Sequence, residues 1–368
     1  MSVPGTNDRH IILAFKNPRV DNPTALHEGL GVTAANCAEV LVEHGLSAMA
    51  SPVIDGYYLR DQLRASWSDA THVILCAPYL DTPFLEGLCK EFPKVNFAVN
   101  FHSNVGFLQA DNWAVKVMRE QMALEQRVSN FRLAGNSEKL CQAVSRAFGA
   151  NCMLLPNLYF LHGPVERQRA PWSGPELHIG IFGATRALKN LQTAAWAATI
   201  FGRELDANLS IHVSDGREEG GKGVLKAVEQ LIEEAPNVRL VREAWRPWLE
   251  FRRMLRRMHL MLQVSHTESF NGVTADGIVE GVPSVVSPAI DWVPRNWQVN
   301  PDKTCDIADA GKRLLCDSGA IAAGYQSLAH YNDAAMVNWQ AFLGNSKPAH
   351  HVSTWDKLLS WVRPAVRR

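Results

Sequence analysis

The chain has 368 residues, with Lys+Arg and Asp+Glu both at 37 and hydrophobic residues at 46%. That length exceeds one ordinary α/β core and fits two domains, and the balanced charge gives no sign of a polyanionic partner. The hydrophobic content is that of a soluble globular protein, and the longest apolar runs, such as IILAF and HVILCA, are too short to span a bilayer.

The opening MSVPGTNDRH lacks the basic and apolar regions of a signal peptide. Arg9 to Phe15 then reads as a first strand. A polar, Pro-containing loop follows and ends in His27-Glu28-Gly29-Leu30-Gly31. Thr33 to Glu43 has helical spacing of apolar residues and a stop at Gly45. SAMASPV, THVILCAP and NFAVNF read as strands, each followed by a helical pattern, and FRLAG and CMLLPN flank a helix from Glu138 to Phe148. Strand–helix alternation of this kind predicts a parallel, doubly wound sheet.

Leu161 to Pro175 is polar and rich in Pro and Gly, as a linker is. A second series follows: LHIGIFG, a helix from Asn190 to Phe201, LSIHVS, a helix from Gly223 to Glu234, VRLV, a helix from Trp248 to Met258, HLMLQVS and SVVS. From Tyr331 onward the pattern is helical, with Trp339, Trp355 and Trp361 as apolar anchors. The expected domains are 1–165 on the acceptor side, a linker at 166–176, and 177–340 on the donor side. A helical tail, 341–368, is expected to pack back on the first domain. The scattered cysteines (Cys37, Cys76, Cys89, Cys141, Cys152, Cys305, Cys316) contain no C-x-x-C pair, which points to reduced thiols in the cytoplasm and to no metal site.

The most telling stretch is Ser265 to Val286, SHTESFNGVTADGIVEGVPSVV. Two acids, Glu268 and Asp276, bracket an aromatic–Asn–Gly step, Phe270-Asn271-Gly272, at the carboxyl end of a buried strand. A helix from about Thr274 to Glu280 leads on to SVVS. Ligands of open α/β sheets bind at such strand ends, beside helix N-termini that favour anions. A phosphorylated, polyhydroxylated molecule such as a nucleotide sugar fits that setting.

In order along the chain, these motifs resemble those of the retaining, family 4-like GT-B glycosyltransferases. The family's strand ending in Gly, then a basic residue and a Lys followed by Gly or Asn, is matched by Gly183-Ala184-Thr185-Arg186-Ala187-Leu188-Lys189-Asn190. Its E-x7-E block matches Glu268 through Asp276, and its G-x-P-V-V matches Gly281 to Val286. In the first half, Gly29 and Gly31 match a Gly-rich loop, His102 a strand-ending histidine, and Pro156-Asn157 the close of the domain. The resemblance implies two Rossmann-like domains facing each other across a cleft.

By that resemblance, Arg186 and Lys189 neutralise the donor diphosphate, Glu268 holds the transferred sugar, and His102 bonds it from across the cleft. Asp276 takes the ribose hydroxyls, with Asp standing where the family has Glu. Backbone at Phe270, Asn271, Gly272 and Gly183 meets phosphate or sugar, and Asn271, where Gly is usual, bears on sugar choice. Gly29 and Gly31 let backbone approach the donor or acceptor, and Trp245 stacks on the base. Ser214-Asp215-Gly216 is a weak match to a nucleotide-side loop.

The run WLEFRRMLRRMHLML places Arg252, Arg253, Arg256 and Arg257 on one helical face, expected to be solvated; a nucleic-acid or anionic-lipid surface is its alternative. The expected reaction is retaining transfer of a sugar from a nucleotide diphosphate sugar to a hydroxyl acceptor, glycan, lipid, small molecule or modified nucleic acid. No cofactor or metal is expected, because no D-x-D pair occurs. Alternatives within the fold are transfer to a hydroxymethylated DNA base, a nucleotide-sugar epimerase and a non-catalytic binding protein. An NAD-dependent oxidoreductase is a weaker reading, since Gly29-x-Gly31 lies well past the first strand and lacks a third glycine.

Overall fold

The computed structural model describes residues 10–17, 29–109, 111–161, 171–216, 219, 221, 223–233 and 235–344. In the first half, strands β1 (His10–Lys16), β2 (Ser47–Val53), β3 (Ala70–Leu75), β4 (Asn96–Phe101), β5 (Phe131–Gly135) and β6 (Met153–Leu154) alternate with helices. These are α1 (Gly29–Glu43), α2 (Gly56–Arg64), α3 (Thr82–Glu91), α4 (Val105–Leu108), α5 (Asn112–Arg127) and α6 (Glu138–Phe148). Side-chain caps set several helix starts, with Asp55, Asp81, Asp111 and Ser137 each accepting a bond from a first-turn N–H.

The second half alternates β7 (Glu176–Ile181), α7 (Leu191–Glu204), β8 (Asn208–Ser214), α8 (Val224–Ile232), β9 (Val238–Glu243), α9 (Trp248–Leu255), β10 (Leu260–Gln263), α10 (Gly272–Val279) and β11 (Ser284–Val286). Helices α11 (Thr304–Cys316) and α12 (Ala320–Leu343) follow.

The sheets have six strands in the order β2-β1-β3-β4-β5-β6 and five in the order β11-β10-β7-β8-β9. Every named strand pair is parallel. Helices cover both faces, so central strands such as β1 carry a continuous apolar run, Ile11 to Phe15, and bury both sets of its side chains. Strand order reverses between β1 and β3 in one sheet and between β7 and β10 in the other, and the crevices beyond those points are where ligands enter such folds.

Several elements differ from expectation. The chain is already helical at Gly29, four residues before Thr33. Strand β7 begins at Glu176, inside the expected linker, of which 166–170 lie outside the described residues. Helix α11 and the first half of α12 were not read from the sequence.

The return to the first domain is made by α12 itself. Its start packs on the second domain, where Gly324 faces Trp297 and a Cβ would come within 2.6 Å of that ring. Its far end joins Ala335, Met336, Trp339 and Phe342 to a core containing Ile11, Leu13 and Phe15. Trp339 Nε1 donates to Pro156 O at 2.8 Å. Residues 345–368, with Trp355 and Trp361, lie outside the described residues.

Candidate active site

A cavity of about 370 Å³ opens at the β7/β10 reversal and is closed on its other side by the first domain. Strand β7 runs out into Phe182 and Gly183. Gly183 holds φ +132°, a left-handed value that a side chain disfavours, while its N–H donates to Ser214 Oγ at 3.1 Å. The chain then makes a 3-10 turn over Ala187–Lys189, and Asn190 ends it in the left-handed region. The Asn190 amide ties this turn to Val264 O and Pro301 O.

That turn aims Lys189 at the β10 loop, where Nζ donates to Glu268 Oε1 at 2.5 Å. Glu268 is 5% exposed and also accepts from Asn271 Nδ2 at 3.1 Å. Lys189 keeps some exposure, but the carboxylate end of this charge-assisted pair is shielded from solvent. Arg186 lines the same cavity, ion-paired to Glu219, with its guanidinium 5.0 Å from the Phe107 ring centroid of the first domain.

Asn271 lines the cavity with Phe270 and Gly272, and its side chain is bonded within the protein. Its backbone sits at φ +67° and its Oδ1 caps α10 by accepting from Thr274 N. Its Nδ2 is spent on Gln263 and Glu268. The amide is thus committed to the protein, since a positive-φ N-cap carrying its own acceptor is a role Asn fills well. Phe270 stacks on Trp292, with centroids 5.1 Å apart, and Trp292 Nε1 donates to Phe270 O. Gly272 opens α10 with no atom within 4 Å of where a Cβ would stand.

From the other domain, His102 follows β4 directly and reaches the cavity. Asn136 Nδ2 lies 3.3 Å from His102 Nδ1. The Nε2 atom is sealed from solvent and has no hydrogen-bond partner among the described residues, and burial lowers the ring from the ordinary 6.5 to about 4. The imidazole is therefore neutral at pH 7. The domains touch around it: Ser269 Oγ donates to His102 O at 3.2 Å, and Asn104 Nδ2 donates to Glu268 O. The two glycines of α1 part company. Gly29 lines the cavity, but Gly31 is buried against Phe15, where a Cβ would stand 2.9 Å from the ring. Gly31 serves close packing of α1 on β1 and does not meet the cavity.

Asp276 lines the opposite end of the cavity, 6% exposed. Its Oδ1 accepts from the Tyr159 hydroxyl at 2.6 Å and from Trp248 Nε1 at 2.8 Å. Burial raises its carboxyl from 3.8 to about 6, against the lowering effect of those two donors and of the Arg252 charge. Sequence reasoning passed over Tyr159 and Trp248. No local pattern ties either to Asp276, from which they lie 117 and 28 positions away. Trp245 lines the cavity and is 40% exposed. Beside it, Glu243 accepts from His212 Nδ1 and holds Arg246 at 2.9 Å, and His212 Nε2 meets His178 Nδ1 at 2.9 Å.

The Arg run is not a free basic face. Arg252 is 8% exposed, and both Arg252 and Arg256 are bound by Glu280, which is itself buried. Arg257 lies 3.8 Å from Glu243. An acid supplied by the turn after α10 pairs with two of the four arginines, a tertiary partner that helical spacing does not reveal, while Arg253, Arg256 and Arg257 remain exposed. Among the described residues, no helix is long and apolar enough to cross a membrane, and no group of three or more His, Cys, Asp or Glu side chains is gathered as a metal ion needs.

No protein-family profile and no curated protein sequence matches the chain. Solved structures do match. A point mutant of Staphylococcus aureus TarM, in complex with Fondaparinux, alpha-GlcNAc-glycerol and UDP, aligns at a TM-score of 0.54 and 14% identity over 78% of this chain. The chain spans 59% of that mutant's length. Sucrose-phosphate synthase from Thermosynechococcus elongatus aligns at 0.55 and 12% identity, covering 96% of this chain and 100% of that one. A UDP-forming α,α-trehalose-phosphate synthase from Burkholderia xenovorans aligns at 0.58 and 11% identity, covering 93% and 100%. At such identities the likeness speaks for the fold. It is the GT-B arrangement of two Rossmann-like domains, the fold in which these glycosyltransferases are built.

Proposed function

We propose that the chain is a glycosyltransferase that moves a sugar from a nucleotide diphosphate sugar to a hydroxyl acceptor, with retention at the anomeric carbon and without a metal ion. The observation that carries this reading is the Lys189–Glu268 pair at the sheet reversal, a half-buried ammonium on a buried carboxylate, lining one cavity with His102 of the first domain. Asp276 takes the ribose hydroxyls, for which an ionised carboxylate is an acceptor-only partner. Lys189 and Arg186 take the diphosphate, so a donor reaches Arg186 by exchanging with Glu219. Glu268 and neutral His102 hold the sugar.

In the reaction, the bond from the anomeric carbon to the phosphate oxygen breaks and its electron pair leaves with the nucleotide diphosphate. The acceptor oxygen bonds the same carbon, and its proton goes to the departing phosphate. Two fixed cations stabilise the charge that grows on that leaving group, which supports independence from metal. The domain contacts around Ser269 and Asn104 exclude water from the cleft and so limit donor hydrolysis. The cysteines, all free, support a reducing compartment such as the cytoplasm.

A donor panel assayed for nucleotide release, with and without EDTA, tests the reading. Release that survives EDTA is the expected result. A strict metal requirement, or no nucleotide sugar bound, overturns it.

A further inference from the structure

The first sheet also reverses its strand order, between β1 and β3, and a second cavity of about 230 Å³ stands at that point. It is lined by Lys16 at the end of β1, Asp55 and Tyr57 after β2, and Tyr79, Asp81 and Phe84 after β3. No role described so far uses it.

The cavity is built with some care. The residue after Cys76 at the end of β3, Ala77, holds φ 139°, a backbone value rare for a residue with a side chain. Beyond it Tyr79 is fixed by its hydroxyl, which donates to Ala14 O at 3.2 Å. The Tyr57 and Phe84 rings meet edge to face at 5.0 Å, and Gly56 makes room for Phe84, since a Cβ there would lie 2.4 Å from the ring. Tyr57 nevertheless remains 61% exposed. Large aromatic surface held open beside a few polar groups is the composition of a ligand site, not of a core.

We propose that this second cavity binds the acceptor, and that the acceptor is a neutral saccharide. The proposal rests on the glycosyltransferase reading for the word acceptor, though not for the binding itself. Charge selects the class. The lining carries two carboxylates, Asp55 and Asp81, against the single ammonium of Lys16, while Arg60 beside it, its guanidinium carbon 5.2 Å from the Tyr57 ring centroid, is paired with Asp61 at 3.9 Å. A rim with no excess of positive charge has no net attraction for a phosphate or a carboxylate. A sugar ring offers an apolar face to the tyrosines and hydroxyl donors to the acids.

Position sets the minimum size. Strands β2, β1 and β3 lie three, two and one places from β4, which His102 follows, so the cavity extends over roughly 5–15 Å along the sheet edge from the transfer centre. The reacting hydroxyl and the ring held here therefore belong to different parts of the acceptor, a disaccharide or a larger glycoside.

The test is saturation-transfer NMR on the full chain with maltose, cellobiose and lactose, and with glucose 6-phosphate as the anionic comparison. Wild type is set beside Tyr57→Ala and Tyr57→Phe, and UDP and GDP affinity is measured on the same samples. At least one neutral disaccharide is expected to bind, to lose its signal fivefold or more in Tyr57→Ala and to keep it in Tyr57→Phe, with nucleotide affinity unchanged within twofold. No disaccharide binding, binding indifferent to Tyr57→Ala, or preference for glucose 6-phosphate overturns the proposal. Failure of nucleotide binding in wild type with Tyr57-dependent saccharide binding intact removes the transferase reading and leaves the saccharide site standing.

Discussion

The Tyr159 hydroxyl donates to Asp276 Oδ1 at 2.6 Å, and so joins the segment that follows the first domain to the acid placed at the ribose end of the second. The same tyrosine exchanges two backbone bonds with the Asn332 amide of α12. The acid, the crossing segment and the long helix form one connected unit. The shorter Asp is held at fixed height by two donors, Tyr159 and Trp248, where a longer side chain would reach further alone.

Nucleotide affinity is expected to fall as pH drops through about 6, because burial raises Asp276 to that value and the protonated acid no longer accepts two ribose bonds. Stability runs the other way: the raised carboxyl favours the fold fully below 3.8 and that contribution is lost as pH rises through 6. Asp276→Asn should flatten the pH dependence of UDP and GDP binding between pH 5 and 7. Tyr159→Phe, which removes a donor to the charged form, should move the midpoint upward. Titration calorimetry across that range reads both, and an unaltered midpoint in Tyr159→Phe would detach the hydroxyl from the acid's ionisation.

Lys189→Ala should cost both activity and stability. Glu268 is 5% exposed, so removing its cation leaves a buried carboxylate at a penalty of about 3–5 kcal/mol. Glu268→Gln keeps the shape and should lower transfer at least a hundredfold with a smaller loss of stability. Combining Lys189→Met with Glu268→Gln should recover most of the stability and none of the transfer. Urea unfolding beside nucleotide-release rates separates these effects, and transfer near the wild-type rate in Glu268→Gln would remove that carboxylate from the site.

Acid should destabilise the fold through His102. Its ring is lowered from 6.5 to about 4 by burial, so an unfolded chain takes up a proton that the folded one refuses across that window. The loss between those pH values is on the order of 3 kcal/mol. His102→Gln should reduce the slope of unfolding free energy against pH. A remainder is expected, because burial also lowers His178 and His212.

The two α1 glycines should respond oppositely to alanine. Gly31→Ala presses a methyl on the Phe15 ring and should destabilise by about 1–3 kcal/mol. Gly29→Ala meets no atom within 4 Å and should leave stability unchanged or raise it by up to about 1 kcal/mol, while weakening donor binding at the cavity. Thermal melts and donor titrations check each side.

What the sequence discloses is chiefly what neighbouring residues settle among themselves. The strand–turn–helix pattern placed Glu268 at a strand end because burial period and turn residues are local, whereas Lys189 was picked out only by the family resemblance. Asp276 was visible as an acid but not as a buried one, since its donors arrive from Tyr159 and Trp248, 117 and 28 positions away. Gly31 was misread as loop because no capping residue marks the start of α1. Arg252 was misread as solvated because its acid, Glu280, lies on another element. Helix α12 shows no single apolar stripe: Ala320 and Leu328 face one domain, Met336 and Trp339 the other.

The placement of α12 also bears on how the protein is made. Ile11, Leu13 and Phe15 share a core with Met336, Trp339 and Phe342, so the first sheet emerges from the ribosome hundreds of residues before the side chains that finish covering it. Until then the part of that apolar face which α1 does not cover stands open to water. Folding of the early half is therefore completed after translation of the late half, and that waiting period is when the chain is most exposed to aggregation or capture by a chaperone.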